Sequence, residues 1–127
     1  MSKVLLVEDE ELNRVLVRAI LSRAKDEVIR EVELVEAGSL AGARSALADG
    51  AVDIVLLDVN LPDGNGLSLA ADLHGSPNRP KVIALTASVL PHERAAAMSA
   101  GCDSFLDKPY AAQDLVDMLT SHLPPAG

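Results

Sequence analysis

Four consecutive aliphatic residues, Ile54-Val55-Leu56-Leu57, run directly into Asp58, and Val59-Asn60-Leu61-Pro62-Asp63-Gly64 follows. An unbroken apolar run of this kind suits a strand covered on both faces, as in parallel sheets. The Pro-Asp-Gly segment then signals a turn. A carboxylate is thereby placed where a buried strand runs out into a loop. In open α/β sheets that carboxyl edge is where ligands bind.

Similar apolar runs recur, separated by segments of helical period. Val4 to Val7 reads as a first strand. Glu10 to about Ala24 follows as a helix, with Leu12, Val15, Leu16, Ala19 and Ile20 on one apolar face. Val32 to Val35 is a second strand, and the neighbouring Glu31, Glu33 and Glu36 mark it as an edge. Ser39 is suited to cap a helix that buries Leu40, Ala43, Ala46 and Leu47. Ile54 to Leu57 is the third strand, about Leu67 to His74 the third helix, and Val82 to Leu85 the fourth strand. About Pro91 to Ala100 forms a short Ala-rich helix ended by Gly101. Ser104 to Leu106 is a fifth strand. A fifth helix runs from about Ala111 to His122, with Leu115, Val116 and Leu119 inward, and Pro124-Pro125 closes it. Residues 75–80 read as a flexible connection. Gly64-Asn65-Gly66 reads as a turn, too short for a phosphate-binding signature.

Five βα units in succession predict an α/β fold with a doubly wound, five-stranded parallel sheet. Right-handed crossovers restrict the topology. Five strands fit the flavodoxin-like (βα)5 order 2-1-3-4-5, which sets the first and third strands side by side. With 127 residues the chain is expected to be one domain, 1–127 with a core of about 3–123, without a linker or effector domain. Its core must be aliphatic, because Phe105 and Tyr110 are the only aromatic residues. A formal net charge of −8 argues against binding nucleic-acid phosphates. No apolar run approaches the roughly 18 residues of a membrane span. The start enters a strand-like run with no secretory signal, and the single Cys102 fits a reducing cytosol, so a cytoplasmic location is expected. Cys102 itself reads as a small buried filler. His74, His92 and His122 are scattered over helix ends without ligand spacing.

The predicted order gathers particular side chains at one rim. Glu8 and Asp9 follow the first strand, Asp58 the third, Thr86 the fourth and Lys108 the fifth. Two carboxylates about 4 Å apart repel by about 4 kcal/mol at an effective dielectric near 20. A protein relieves this by protonating one or by binding a cation. Oxygen-only ligands favour Mg²⁺, Mn²⁺ or Ca²⁺. Lys108 offers a point charge for an anion and Thr86 a hydroxyl donor. Each residue taken alone has a bland explanation: an acidic first turn, a turn threonine, a solvated lysine. The joint pattern is much harder to obtain by chance.

With Val7-Glu8-Asp9, Leu57-Asp58-Val59-Asn60-Leu61-Pro62, Thr86-Ala87, Ala100-Gly101-Cys102-Asp103 and Lys108-Pro109 in this order, the chain resembles the receiver domain of two-component response regulators, from about Lys3 to Leu123. The resemblance implies that Asp58 is the phosphoacceptor, receiving a phosphoryl group from a histidine kinase or a histidine phosphotransfer protein. It implies Mg²⁺, with Mn²⁺ as a substitute, held by Asp9, Asp58 and the backbone carbonyl of Asn60, with Glu8 acting through water. Thr86 and Lys108 would contact the phosphoryl oxygens, and Ala87 would leave the site open. Asn60 and Ser88 would tune the phosphoryl lifetime. Thr86 and Phe105 would form the switch, remodelling an output face made by the fourth helix, fifth strand and fifth helix, where an output protein docks. Phe105 is equally well read as an ordinary core residue. Lys108-Pro109 would be cis. The implied protein is a signalling phosphoacceptor, a monomer or weak dimer, and not an enzyme beyond its own phosphorylation and dephosphorylation. Glu8 to Arg14 also resembles receiver segments of hybrid histidine kinases. Two other readings stand beside this one. A haloacid-dehalogenase-like phosphatase needs a second aspartate two residues after the nucleophile, where this chain has Asn60, and its nucleophile lies on the first strand. An unphosphorylated pseudo-receiver, a binding module, sits poorly with the complete set of acids, threonine and lysine.

Overall fold

The computed structural model describes residues 2–75, 79–86, 91–108 and 110–123. Ala87, Ser88, Pro109, Pro124 and Pro125, on which several expectations rest, lie outside the described residues, as do 76–78 of the predicted flexible connection. In chain order the elements are β1 (Lys3–Val7), α1 (Glu11–Ser22), α2 (Glu27–Arg30), β2 (Glu33–Ala37), α3 (Leu40–Asp49), β3 (Ile54–Asp58), β4 (Asn60–Leu61), β5 (Gly64–Asn65), α4 (Leu67–His74), β6 (Lys81–Thr86), α5 (Pro91–Ser99), β7 (Ser104–Asp107) and α6 (Ala112–His122).

Five strands form one parallel sheet in the order β2-β1-β3-β6-β7. This is the expected 2-1-3-4-5 order once the small β4–β5 ribbon is set aside. β1 and β3 are neighbours, with Val7 opposite Leu57, and β2 is an edge. Alternation along each strand sends side chains to two faces. Leu5, Val7, Val55, Leu57, Val82 and Ala84 join one apolar cluster, which takes Leu40 and Ala43 of α3, Leu69 and Ala70 of α4 and Ala97 of α5. Val4, Leu6, Ile54, Leu56, Ile83 and Leu85 join the other, which takes Val17 and Leu21 of α1, Ile29 of α2 and Leu115 and Leu119 of α6. Both faces are covered, so the inner strands read as continuous hydrophobic runs.

Local chemistry sets the helix ends. Ser39 caps α3 as expected, its hydroxyl accepting from Gly42 N at 3.1 Å. The end of α5 is a Schellman motif: Gly101 N donates to Met98 O at 3.1 Å and Cys102 N to Ala97 O at 3.2 Å. Gly101 carries the positive φ, 106°, that this motif requires. A Cβ there would also sit 2.8 Å from the Cβ of His74, so α4 packs closely against this turn.

Several expectations are corrected. β2 lies one to two residues further along than Val32 to Val35, because its register with β1 pairs Glu33 to Ala37 with Lys3 to Val7. The apolar face assigned to α1 is the wrong one. Leu12, Val15 and Leu16 are exposed, while Val17 and Leu21 are buried against the sheet and Ala19 and Ile20 are half-buried. Apolar residues cover more than half of this helix's circumference, so periodicity alone could not choose the packed side. On α6, Leu115 and Leu119 are buried and Val116 only packs against their margin. Neither α2 nor the β4–β5 ribbon was expected; Gly64-Asn65 belongs to a paired strand as well as a turn.

Cys102 is buried in the first cluster. Burial, aided by the nearby charge of Asp103, pushes its thiol up to about 11. Relative to the ordinary 9.0 this leaves about 100-fold less thiolate at pH 8. Alkylation by iodoacetamide is therefore expected to be at least that much slower in the folded protein than in denaturant. Equal rates would contradict the burial.

Candidate functional site

The carboxyl ends of β1, β3, β6 and β7 bring the sequence-predicted residues to one rim. Glu8 follows β1 directly and is nearly inaccessible, at 1% exposure, while Asp58 closes β3 at 6% and Asp9 is exposed. Glu8, Asp9 and Asp58 each present a carboxylate oxygen within 4.8 Å of the others. Lys108, just past β7, reaches back to them. Its ammonium lies 2.7 Å from Glu8 Oε2 and 3.3 Å from Asp58 Oδ2. These contacts span 100 and 50 residues of chain.

Each side chain is held by the backbone beneath it. Glu8 N donates to Ala37 O at 2.9 Å, which extends the β1–β2 ladder and fixes where Glu8 leaves the sheet. Its other carboxylate oxygen accepts from Glu10 N at 3.2 Å. Lys108 N donates to Thr86 O at 2.7 Å, pinning the end of β7 to the end of β6. Thr86 is therefore on the same rim, half-buried, one strand from Asp58, whose ladder partner is Leu85. Asn60, two residues past Asp58, sits in β4 with its backbone opposite Asn65. Phe105 lies on β7 opposite Ala84 and packs, partly buried, against the cluster under α3, α4 and α5. Two of the histidines lie elsewhere: His74 packs at the Gly101 turn and His122 lies beside Met118 O at the end of α6.

Three groups that the sequence reading did not single out shape the rim. Arg14, on the first turns of α1, donates to Glu8 O at 2.6 Å and pairs with Glu36 at 3.7 Å, tying the acidic loop to β2. Gly66 is buried where the loop after Asp58 doubles back. Its N–H donates to Val59 O at 2.8 Å, and a Cβ there would lie 2.3 Å from Asp58 O. Tyr110 is half-buried and feels the charges of Lys108, Glu8 and Asp58. The signals were present but local: an arginine one turn past an acidic run, and a glycine eight residues past the strand aspartate.

The electrostatics follow from crowding. Burial pulls the Lys108 ammonium down. The Glu8 hydrogen bond and the charges of Asp58 and Glu8 outweigh it, leaving its pKa above the ordinary lysine value. Burial raises the Tyr110 phenol, and Lys108 offsets part of that. Among these four charged side chains, three carboxylates face one ammonium. An all-oxygen set with surplus negative charge suits a hard divalent cation such as Mg²⁺ or Mn²⁺. The donor set thus fits such an ion, with Asp9, Asp58 and Glu8 as the residues at hand. Lys108 leaves one positive charge positioned for an anionic group brought to Asp58.

Known proteins with this arrangement agree. The family model for the response regulator receiver domain matches residues 4–120. A two-component response regulator of rice, ORR41, is 35% identical over 115 residues, covering 91% of this chain and 89% of that protein. The aerobic respiration control sensor protein ArcB of Escherichia coli K12 is 34% identical over 119 residues, with the match covering 91% of this chain but only 14% of the sensor. The chain thus spans nearly all of one curated relative and a small part of another. Among solved structures, the receiver domain of the sensor histidine kinase PA1611 from Pseudomonas aeruginosa PAO1, determined with a magnesium ion in its active-site cleft, is 26% identical with a TM-score of 0.80, covering 95% of this chain and 96% of that one. The family match sets aside the phosphatase alternative. An aspartate ending the third strand of a 2-1-3-4-5 sheet, two further acids beside it and a lysine reaching across from the last strand are the frame of one family, and this chain belongs to the response regulator receiver domains of two-component systems.

Proposed function

We propose that Asp58 is the phosphoacceptor and that the chain takes a phosphoryl group from a phosphohistidine on a histidine kinase or phosphotransfer protein. The observation that carries this is the contact of one lysine, Lys108, with both Glu8 and Asp58 inside a cluster of three carboxylates. Asp58 Oδ attacks phosphorus, a P–O bond forms, the P–N bond breaks, and the imidazole leaves with the bonding pair. Lys108, whose pKa Glu8 and Asp58 hold above the ordinary lysine value, enters the reaction as an ammonium and pairs with a phosphoryl oxygen. Thr86 supplies a hydroxyl on the neighbouring strand end. Asp9, Asp58 and the Asn60 carbonyl would hold Mg²⁺, with Glu8 acting through water. Bound Mg²⁺ supplies charge neutralisation for the transferred group, the main requirement of phosphoryl transfer. Hydrolysis of the acyl phosphate resets the protein, so the chain catalyses only its own modification.

A phosphodonor must lie over the rim, next to Asp9. There α1 presents Leu12, Val15 and Leu16, the first 76% exposed. This apolar strip, contiguous with the acidic loop, suits the helices that carry a phosphohistidine. The output side is assigned to α5, β7 and α6, with Thr86 and Phe105 as the switch: phosphorylation biases two packings of that face. No described helix is long and apolar enough to cross a membrane. We place the domain in the cytoplasm, where its kinase partners phosphorylate it.

Incubation with acetyl phosphate and Mg²⁺, read by intact mass, tests the assignment. The wild type is expected to gain one phosphoryl group and Asp58→Ala none. Equal labelling of the two proteins refutes it.

A further inference from the structure

Residues 59–66 leave the sheet after Asp58 as a two-stranded ribbon, with Asn60 opposite Asn65 and Leu61 opposite Gly64. Gly66 N closes its base on Val59 O. Its tip does not wave free. The carboxylate of Asp63 accepts from Leu40 N at 2.9 Å through Oδ1 and from Ala41 N at 3.1 Å through Oδ2. Those are the first two residues of α3, more than twenty positions away in the chain. Helix α3 therefore has two caps. Ser39 serves Gly42 N from within the helix's own lead-in, and Asp63 serves the two preceding amides from another loop. The two amides, with the helix dipole behind them, hold the Asp63 carboxyl below the usual carboxylate range. Leu40 closes the contact, its Cδ1 standing 3.1 Å from where a Cβ on Gly64 would be.

The ribbon is thus held at both ends: at Asp58 by the sheet and at Asp63 by α3, which itself packs on β1 and β2. Asn60 lies between the two anchors. We propose that Asp63 is a positioning residue for the phosphoacceptor site, capping α3 from the loop so that the Asn60 main-chain carbonyl stays where a divalent cation at Asp9 and Asp58 can use it. This rests on the reading of the acid cluster given above. A cap that served α3 alone would affect stability and nothing else. A positioning cap also affects affinity for the ion.

The test is Mg²⁺ alone, titrated calorimetrically into wild type, Asp63→Ala, Asp63→Asn and Ser39→Ala, with thermal stability recorded for each. Asp63→Ala is expected to weaken Mg²⁺ binding about tenfold, the scale typical of residues that orient a metal ligand. Ser39→Ala removes a cap from the same helix without touching the ribbon. It should lose stability comparably and leave the affinity within about twofold of wild type. Asp63→Asn keeps a side-chain oxygen for Leu40 N and should recover most of the affinity. Should Asp63→Ala be too unstable to titrate, Ala41→Pro removes one of the two donated N–H groups in the first helical turn, where proline is tolerated, and a loss of about threefold is expected. If Asp63→Ala or Ala41→Pro weakens Mg²⁺ no more than Ser39→Ala does, the positioning role is overturned while the site stands. If the wild type binds no Mg²⁺ at millimolar concentration, the acid-cluster reading falls and this role falls with it.

Discussion

Asp58→Asn is expected to melt higher than the wild type in metal-free buffer, although it destroys the residue on which the proposed function depends. The carboxylate oxygens of Glu8 and Asp9 lie within 4.8 Å of that of Asp58. Each contributes a repulsion of about 3.5 kcal/mol at an effective dielectric near 20. Lys108 at 3.3 Å returns about 5 kcal/mol on the same footing. These three charges together leave Asp58 at a disadvantage of about 2 kcal/mol, less the screening that exposed Asp9 enjoys. Asparagine keeps the shape and removes the charge, and it frees Lys108 for buried Glu8. A gain of about 1–2 kcal/mol corresponds to roughly 3–8 °C in a domain of this size. Added Mg²⁺ should reverse the ranking. A cation that binds only the folded wild type stabilises it by mass action, and the variant has lost a ligand. Paired melting curves with EDTA and with 10 mM Mg²⁺, about the upper end for a useful linkage shift, check both statements. A lower metal-free midpoint for Asp58→Asn would mean that the acids are not in net conflict, and the electrostatic case for a cation would fail.

Gly66→Ala should be among the most damaging single-methyl changes in the protein. Its φ of −56° is open to any residue, so conformational freedom is not what glycine provides here. Space is. The added Cβ would stand 2.3 Å from Asp58 O, 3.2 Å from Asp58 C and 3.2 Å from Val59 Cα. All three are main-chain atoms at the end of a central strand, and none can swing aside as a side-chain tip would. The loop must move outward, and the bond from Gly66 N to Val59 O goes with it. A loss of about 3 kcal/mol is expected from overpacking of this kind, roughly 10 °C in melting temperature. Labelling by acetyl phosphate should fall with it, because the same displacement shifts the carbonyls beside Asp58. Gly75→Ala is the control. A Cβ at Gly75 meets nothing within 4 Å, and its stability should stay within about 0.5 kcal/mol of wild type. Similar behaviour of the two variants would show that the loop yields, and that Asp58 is not gripped from behind.

Both results depend on a distinction that runs through the whole molecule. The continuous runs Val4–Val7, Ile54–Leu57 and Val82–Leu85 suited strands covered on both sides, and the helical segments between them pointed to parallel crossovers. From that, the strand order and the gathering of Glu8, Asp9, Asp58, Thr86 and Lys108 at one rim were legible before any coordinate. The caps at Ser39 and the turn at Gly101 were legible too, because their chemistry lies within a few residues of chain.

The choice among equivalent apolar faces was not. Leu12, Val15 and Leu16 make as good a stripe as Val17 and Leu21, and only packing into the second apolar cluster exposes the first set and buries the second. The exact contacts around the rim were equally silent. Arg14 on Glu8 O and Gly66 beneath Asp58 lie close along the chain, but the path of the loops between them decides whether they touch, and Asp63 meets the first amides of α3 from 23 residues away. Periodicity and local propensity are short-range properties of the chain, so they determine what each segment becomes and in what order the sheet is wound. The reach of the Asp63 carboxylate and of the Lys108 ammonium is set by packing across 23 and 100 residues, and the direction of a guanidinium or the gap that admits no methyl group is set by the exact path of a loop, so only the folded structure decides them.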